Sequence, residues 1–213
     1  LAAVSFAAGL EGVRELMNTI ARIRDDFNIA ILLIEHDMSL VMNICEGIAV
    51  LNFASAVYPG GGVKSGSSAQ EESLCRCSTL YPTLNQRFLW ERYYEPNRAA
   101  NDPLHTDACI WSPGIVICKL DASGNPRIDP EGWATVDVIS CAAPNLRERT
   151  GNIHNPEMAV PVHLTADEQY ALHLKRAKHI LHIAASKRVA ALILGAFGCG
   201  AFANDPWAVA RAY

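Results

Sequence analysis

The chain has 213 residues, of which 50% are hydrophobic and 19% charged, enough for one domain with a real core and incompatible with a disordered, collagen-like or coiled-coil polypeptide. Eighteen basic against twenty-two acidic side chains give a net charge of −4, so neither nucleic acid nor an anionic membrane is an expected partner. The longest apolar runs, such as 29–34 and 189–194, are six residues each, about a third of what a bilayer-spanning helix requires. Seven cysteines spread from Cys45 to Cys199 without a repeated spacing read as reduced thiols of a cytoplasmic protein. Cys75-x-Cys77 is too tight for the usual structural zinc spacings, and no metal site is expected. Leu1 opens without a charged leader before the first apolar residues, so neither a signal peptide nor a native start is read there, and the expectation is a fragment.

In chain order, Val13, Leu16, Met17, Ile20, Ile23 and Phe27 recur at spacings of three and four, which predicts a helix over about 11–27. The β-branched run 29–34 reads as a buried strand, 38–46 as a helix ended by Gly47, and 48–53 as a second buried strand, a β-α-β unit. Pro59 and Gly60 to Gly62 form a loop, and 65–72 reads as a helix entry with Ser67 or Ser68 as cap and acids in the first turn. Residues 85–107 look polar, aromatic and irregular. Strands are expected near 115–120 and 136–141, separated by the turn chemistry of Ser123-Gly-Asn-Pro126. Thr165-Ala-Asp-Glu168 is a capping box opening a helix to about Lys187, with Leu172, Ala177, Ile180, Leu181 and Ala184 on its inner side. A buried strand over 189–194 leads into a second glycine loop, 195–200, and Asn204-Asp-Pro206 starts a last helix. Strands alternating with helices, with glycine loops at strand ends, argue for a three-layer α/β domain whose chemistry lies at the carboxyl edge of the sheet.

Each glycine loop is either a plain tight turn or a cradle whose bare amides hold a diphosphate; neither fits the P-loop or the dinucleotide-binding spacing. Gly60-Gly-Gly62, a spacer of seven residues and Gln70-Glu71-Glu72 form the sharper pattern. A Glu-Glu pair alone is commonly a solvated helix terminus, whereas two acids beside a ligand loop suit glycosidic chemistry, in which one acid protonates a leaving oxygen and then activates water.

This glycine and Gln-Glu-Glu pattern resembles the signature of the microbial branch of the poly(ADP-ribose) glycohydrolase catalytic fold, a macrodomain. The resemblance extends to Leu51-Asn-Phe-Ala-Ser55, Leu74-Cys-Arg-Cys-Ser-Thr-Leu-Tyr81, Ala142-Ala-Pro-Asn145, Leu194-Gly-Ala-Phe-Gly-Cys-Gly-Ala-Phe202 and Asn204-Asp-Pro206, over about 48–213. It implies a three-layer, macrodomain-like mixed sheet with helices on both faces, truncated at its C-terminus because the family continues to a further strand. It also implies hydrolysis of ribose–ribose bonds in poly(ADP-ribose), releasing ADP-ribose, without cofactor or metal. Glu72 would be the acid/base and Glu71 would hold ribose hydroxyls of the terminal ADP-ribose. Gly60, Gly61, Gly62 and Gln70 would shape the catalytic loop, with Asn52 at the ribose end. Gly198, Cys199, Gly200, Ala201 and Phe202 would wrap the diphosphate. The implied partners are ADP-ribose, its polymer and ADP-ribosylated proteins. A non-catalytic ADP-ribose-binding module or an inactive fusion fragment is the alternative.

Residues 1–47 read differently. Ala7-Ala-Gly-Leu10, 22–28, 31–38 and 41–47 resemble the C-terminal part of a branched-chain amino-acid ABC transporter ATP-binding subunit, in which the histidine at the position of His36 contacts the ATP γ-phosphate. The acids that precede Ala7 in that family are Val4 and Ser5 here, and neither a Walker A loop nor a Leu-Ser-Gly-Gly signature is present, so ATPase activity is not expected. The sequence therefore divides into an ABC-ATPase-like β-α segment, 1–47, merged into the sheet of a glycohydrolase-like core, 48–213. Asp37 falls where macrodomains keep an adenine-binding acid. A natural fusion, an assembly artefact and a constructed chimera would all accommodate this join.

Overall fold

Alternation of apolar side chains along three parallel strands divides the core in two. The computed structural model describes residue 22, residues 47–148 and residues 160–213. The expected elements over 11–27, 29–34 and 38–46 lie outside the described residues, apart from Arg22, which is helical. Strand β1 (Ile48–Phe53) pairs in parallel with β3 (Ala134–Cys141) and with β4 (Ala191–Ile193), and β2 (Cys109–Ile117) runs antiparallel to β3, giving the order β2-β3-β1-β4. This is the mixed sheet expected for a macrodomain-like domain.

Ile48, Val50, Val136, Val138 and Ile193 face one core, which is filled by Cys75 of α1 (Gln70–Cys77), Leu80 and Leu84 of α2 (Leu80–Leu84), Leu89 of α3 (Arg87–Leu89) and the rings of Tyr93 and Tyr94. Leu51, Ile139 and Cys141 face the other, against Ile180 and Ala184 of α5 (Ala166–Ser186) and Val209 of α6 (Pro206–Ala212). The period of two along each strand thus builds the three layers. Because β1, β3 and β4 are parallel, Phe53, Cys141 and Ile193 end at one edge, and the loops that follow them share it.

Several local expectations differ from the structure. The 85–107 segment is largely helical: α3 passes through a π-helical turn, Trp90–Tyr94, into α4 (Glu95–Ala100). Pro96 has no N–H for the preceding turn and its ring crowds that turn's carbonyls, which accounts for the wider winding there. Neither Ser67 nor Ser68 caps α1; its N-cap is Ala69, which has no side chain to accept a hydrogen bond. Strand β2 begins earlier than the 115–120 reading, and Pro113 is accommodated because β2 is an edge strand with a register shift at Ser112/Ile115. Strand β4 is shorter than 189–194. The capping box of α5 is present, with Thr165 and Glu168 bonded reciprocally. On that helix Leu181 is exposed, while His173 and Arg176 are buried. Arg176 satisfies itself on the carbonyls of Leu104, His105 and Ala142 and on the Asp107 carboxylate, partners from remote segments that hydrophobic periodicity does not register.

Candidate active site

The first turn of α1 projects three consecutive polar side chains to three different places, as the roughly 100° step between helical neighbours requires. Gln70 turns to the edge of β1 beyond the end of the β4 pairing. Its amide donates to the Leu51 carbonyl at 2.8 Å and its oxygen accepts from the Phe53 N–H at 2.8 Å. The side chain thereby continues the strand pairing and fixes the helix to the sheet.

Glu71 is 3% exposed and reaches the chain just beyond β1. One oxygen accepts from the Ser55 N–H at 2.7 Å, and the other lies 3.4 Å from the Asn52 amide nitrogen. Asn52 and Ser140 are register partners on β1 and β3, and the Asn52 amide donates to the Ser140 hydroxyl at 2.9 Å. Ser55 Oγ in turn accepts from the N–H groups of Val57 and Tyr58, which bends the chain toward the glycines. Burial pushes the Glu71 pKa up to about 8, outweighing the Ser55 N–H and Asn52 amide that favour the anion; the neighbouring Glu72 adds to the rise. Near neutral pH Glu71 is therefore largely protonated, able both to donate and to accept.

Glu72 is 7% exposed and points at the glycine loop, where Oε1 accepts from the Gly62 N–H at 2.9 Å. Its other oxygen has no hydrogen-bond partner among the described residues, and neither has Asn52 Oδ1. Gly61 makes this approach possible. Its φ is +53°, and a Cβ there would lie 2.6 Å from Glu72 Oε1 and 3.1 Å from Glu71 Oε2. Any larger residue would displace both carboxylates.

The second glycine loop reaches the same sheet edge. A Cβ on Gly195 would sit 2.7 Å from the Phe53 ring, and Phe53 meets Phe197 edge to face at 5.7 Å between centroids. The structure thus brings Asn52, Gly60, Gly61, Gly62, Gln70, Glu71 and Glu72 together and places Gly198, Cys199, Gly200, Ala201 and Phe202 in the loop after β4. Asp37 lies outside the described residues. Ser55, Ser140 and Asn204 also shape the site. Ser55 and Asn204 lie within the motifs Leu51-Asn-Phe-Ala-Ser55 and Asn204-Asp-Pro206, whereas Ser140 carries no sequence signal of its own. Among the described residues no group of three or more His, Cys, Asp or Glu side chains is arranged to hold a metal ion.

The family model described as "Microbial-type PARG, catalytic domain" matches residues 11–120, just over half of the chain. The chain belongs to this family. Among solved structures, this microbial-type poly(ADP-ribose) glycohydrolase domain is similar to the glycohydrolase of Thermomonospora curvata bound to the inhibitor ADP-HPD, at 29% identity and a TM-score of 0.66, over 95% of this chain and 68% of that one. A glutamate-to-alanine mutant of the same protein is 30% identical, with a TM-score of 0.70 over the same shares. The Deinococcus radiodurans glycohydrolase in complex with ADP-ribose is 31% identical, with a TM-score of 0.67, over 95% of this chain and 76% of that one. A stretch of 56 residues, 25% of the chain, is 43% identical to the high-affinity branched-chain amino acid transport ATP-binding protein BraF of Pseudomonas aeruginosa. It spans only 22% of that curated relative's length.

Proposed function

We propose that the chain hydrolyses the ribose–ribose glycosidic bonds of poly(ADP-ribose) and releases ADP-ribose, with Glu72 as acid and then base. The observation that carries this is the Glu72 carboxylate, fixed by Gly62 through one oxygen and unpartnered at the other among the described residues, beside a second buried acid at the carboxyl edge of the sheet. Glu72 gives its proton to the leaving ribose oxygen as the C–O bond breaks, leaving an oxocarbenium-like sugar. Water then adds to that carbon and its proton returns to Glu72. Neutral Glu71 and Asn52 Oδ1 offer one donor and several acceptors, which suit the paired hydroxyls of a ribose. The likeness to glycohydrolases solved with ADP-HPD and with ADP-ribose supports the same ligand for this chain.

Glu72→Gln keeps the shape and removes the transferable proton. It should lower kcat by about 10²–10⁴-fold while ADP-ribose still binds. Unchanged hydrolysis would overturn the assignment, and binding without turnover in the wild-type chain would make it an ADP-ribose-binding module instead.

The finer reading adds ADP-ribosylated proteins as substrates, with no role for nucleic acid or membrane. Among the described residues no helix is long and apolar enough to cross a membrane, and the six described cysteines are free thiols, which supports a reducing, cytoplasmic setting. The division into 1–47 and 48–213 is part of this proposal; the BraF similarity supports a second origin for part of the chain, while the family match over 11–120 runs across the boundary.

A further inference from the structure

Asn204 lies 2% exposed beneath the second glycine loop. Its side-chain nitrogen is 2.8 Å from the Pro144 carbonyl, 2.9 Å from that of Gly198 and 3.3 Å from that of Phe202. Three acceptors identify this end of the amide as the donor, so its oxygen faces Nε2 of His173, 2.9 Å away. That contact requires the proton on Nε2 and leaves Nδ1 bare, with no partner among the described residues. His173 is fully buried, and burial lowers its pKa and keeps the ring neutral, its edge set against Phe197 at 5.9 Å between centroids.

The consequence is a loop turned inside out. The Asn204 backbone N–H also bonds the Gly198 carbonyl and the Leu146 N–H bonds the Phe202 carbonyl at 2.9 Å, so with the Asn204 amide the carbonyls of Gly198 and Phe202 are held inward. The N–H groups of Gly198, Gly200, Ala201 and Phe202 make no hydrogen bond among the described residues. Gly198 is required beneath them, since its φ is +78° and a Cβ would lie 2.5 Å from Asn204 Nδ2. Unused amides grouped in a tight turn form an anion seat.

We propose that His173 and Asn204 are positioning residues that hold the carbonyls of this loop inward so that its amides face the diphosphate of ADP-ribose. The inference rests on the ligand reading above and adds the device that shapes the loop. His173→Phe keeps the aromatic edge and deletes the Nε2 donor. In the full chain it should raise the KM for poly(ADP-ribose) and the Kd for ADP-ribose about tenfold with kcat within about twofold, because a lost buried hydrogen bond is worth about that factor. A merely structural role would instead reduce kcat with the folded fraction and leave KM unchanged. His173→Gln restores a donor and should recover most of the affinity; a folded Gln variant as weak as the Phe variant would overturn the assignment. Without any substitution, ADP-ribose should shift the amide resonances of Gly198, Gly200, Ala201 and Phe202. If wild-type chain binds ADP-ribose and these amides stay still, this inference fails alone. If wild-type chain binds no ADP-ribose, the ligand reading fails and takes this inference with it.

Discussion

Glu71 shows how burial changes the chemistry of a carboxyl group. Its side chain is driven toward the neutral form, with a pKa of about 8 against an ordinary 4.5. Between those values the unfolded chain has released a proton that the folded chain keeps, so stability falls as pH rises through this window and levels off above it. The change is on the order of a few kcal/mol. Glu71→Gln cannot ionise and should flatten that slope, read from urea denaturation at about pH 5 and about pH 8.5. An unaltered slope would mean that Glu71 is ionised in the folded chain. The sequence placed both acids in a first helical turn; which oxygen meets which amide depended on the Gly61 conformation and the end of β1, separated from the acids along the chain.

At the scale of elements, α1 owes its placement to Gln70 more than to its own cap. The Gln70 amide bridges Leu51 and Phe53 where β4 no longer covers β1. Gln70→Glu puts an oxygen opposite the Leu51 carbonyl and should destabilise the chain by about 1–3 kcal/mol, with activity falling more than the folded fraction because both carboxylates ride on this turn. Equal loss of activity and folded protein would reduce Gln70 to a plain structural tie. Strand β1, the α5 capping box and the last helix were legible because each carries a local signal: β-branched residues, a Thr-x-x-Glu spacing, Asp205 before Pro206. The helical character of 87–100 was not, since Pro96 and a dense aromatic run mask the period that α3, the π turn and α4 follow. The burial of Arg176 and His173 was equally hidden, because a polar residue on a core-facing position is tolerated only when distant backbone or side-chain groups satisfy it.

For the whole molecule, a ligand that binds only the folded chain must raise its stability. ADP-ribose at about a hundredfold excess over its Kd should add about 2.7 kcal/mol, several degrees in Tm for a chain of this size. Millimolar ATP should leave Tm unchanged, because the chain has no Walker A loop to hold its phosphates. A shift with ATP and none with ADP-ribose would reverse the assignment of the two sequence resemblances. Family, fold class, the four strands from 48 onward, the helices α1, α5 and α6 and the choice of candidate groups were written in short sequence words, because glycine loops, caps and acid pairs are local and their chemistry depends on residue type. The tertiary structure alone decided that burial pushes the Glu71 pKa up, that Glu72 keeps one oxygen without a partner among the described residues and that Asn204, together with the Leu146 N–H, holds two carbonyls of the second glycine loop inward. Burial and partners from remote segments set these features, Asn52 and Ser55 for Glu71 and Pro144, Leu146 and His173 for the second glycine loop, so no single stretch of the chain determines them by itself.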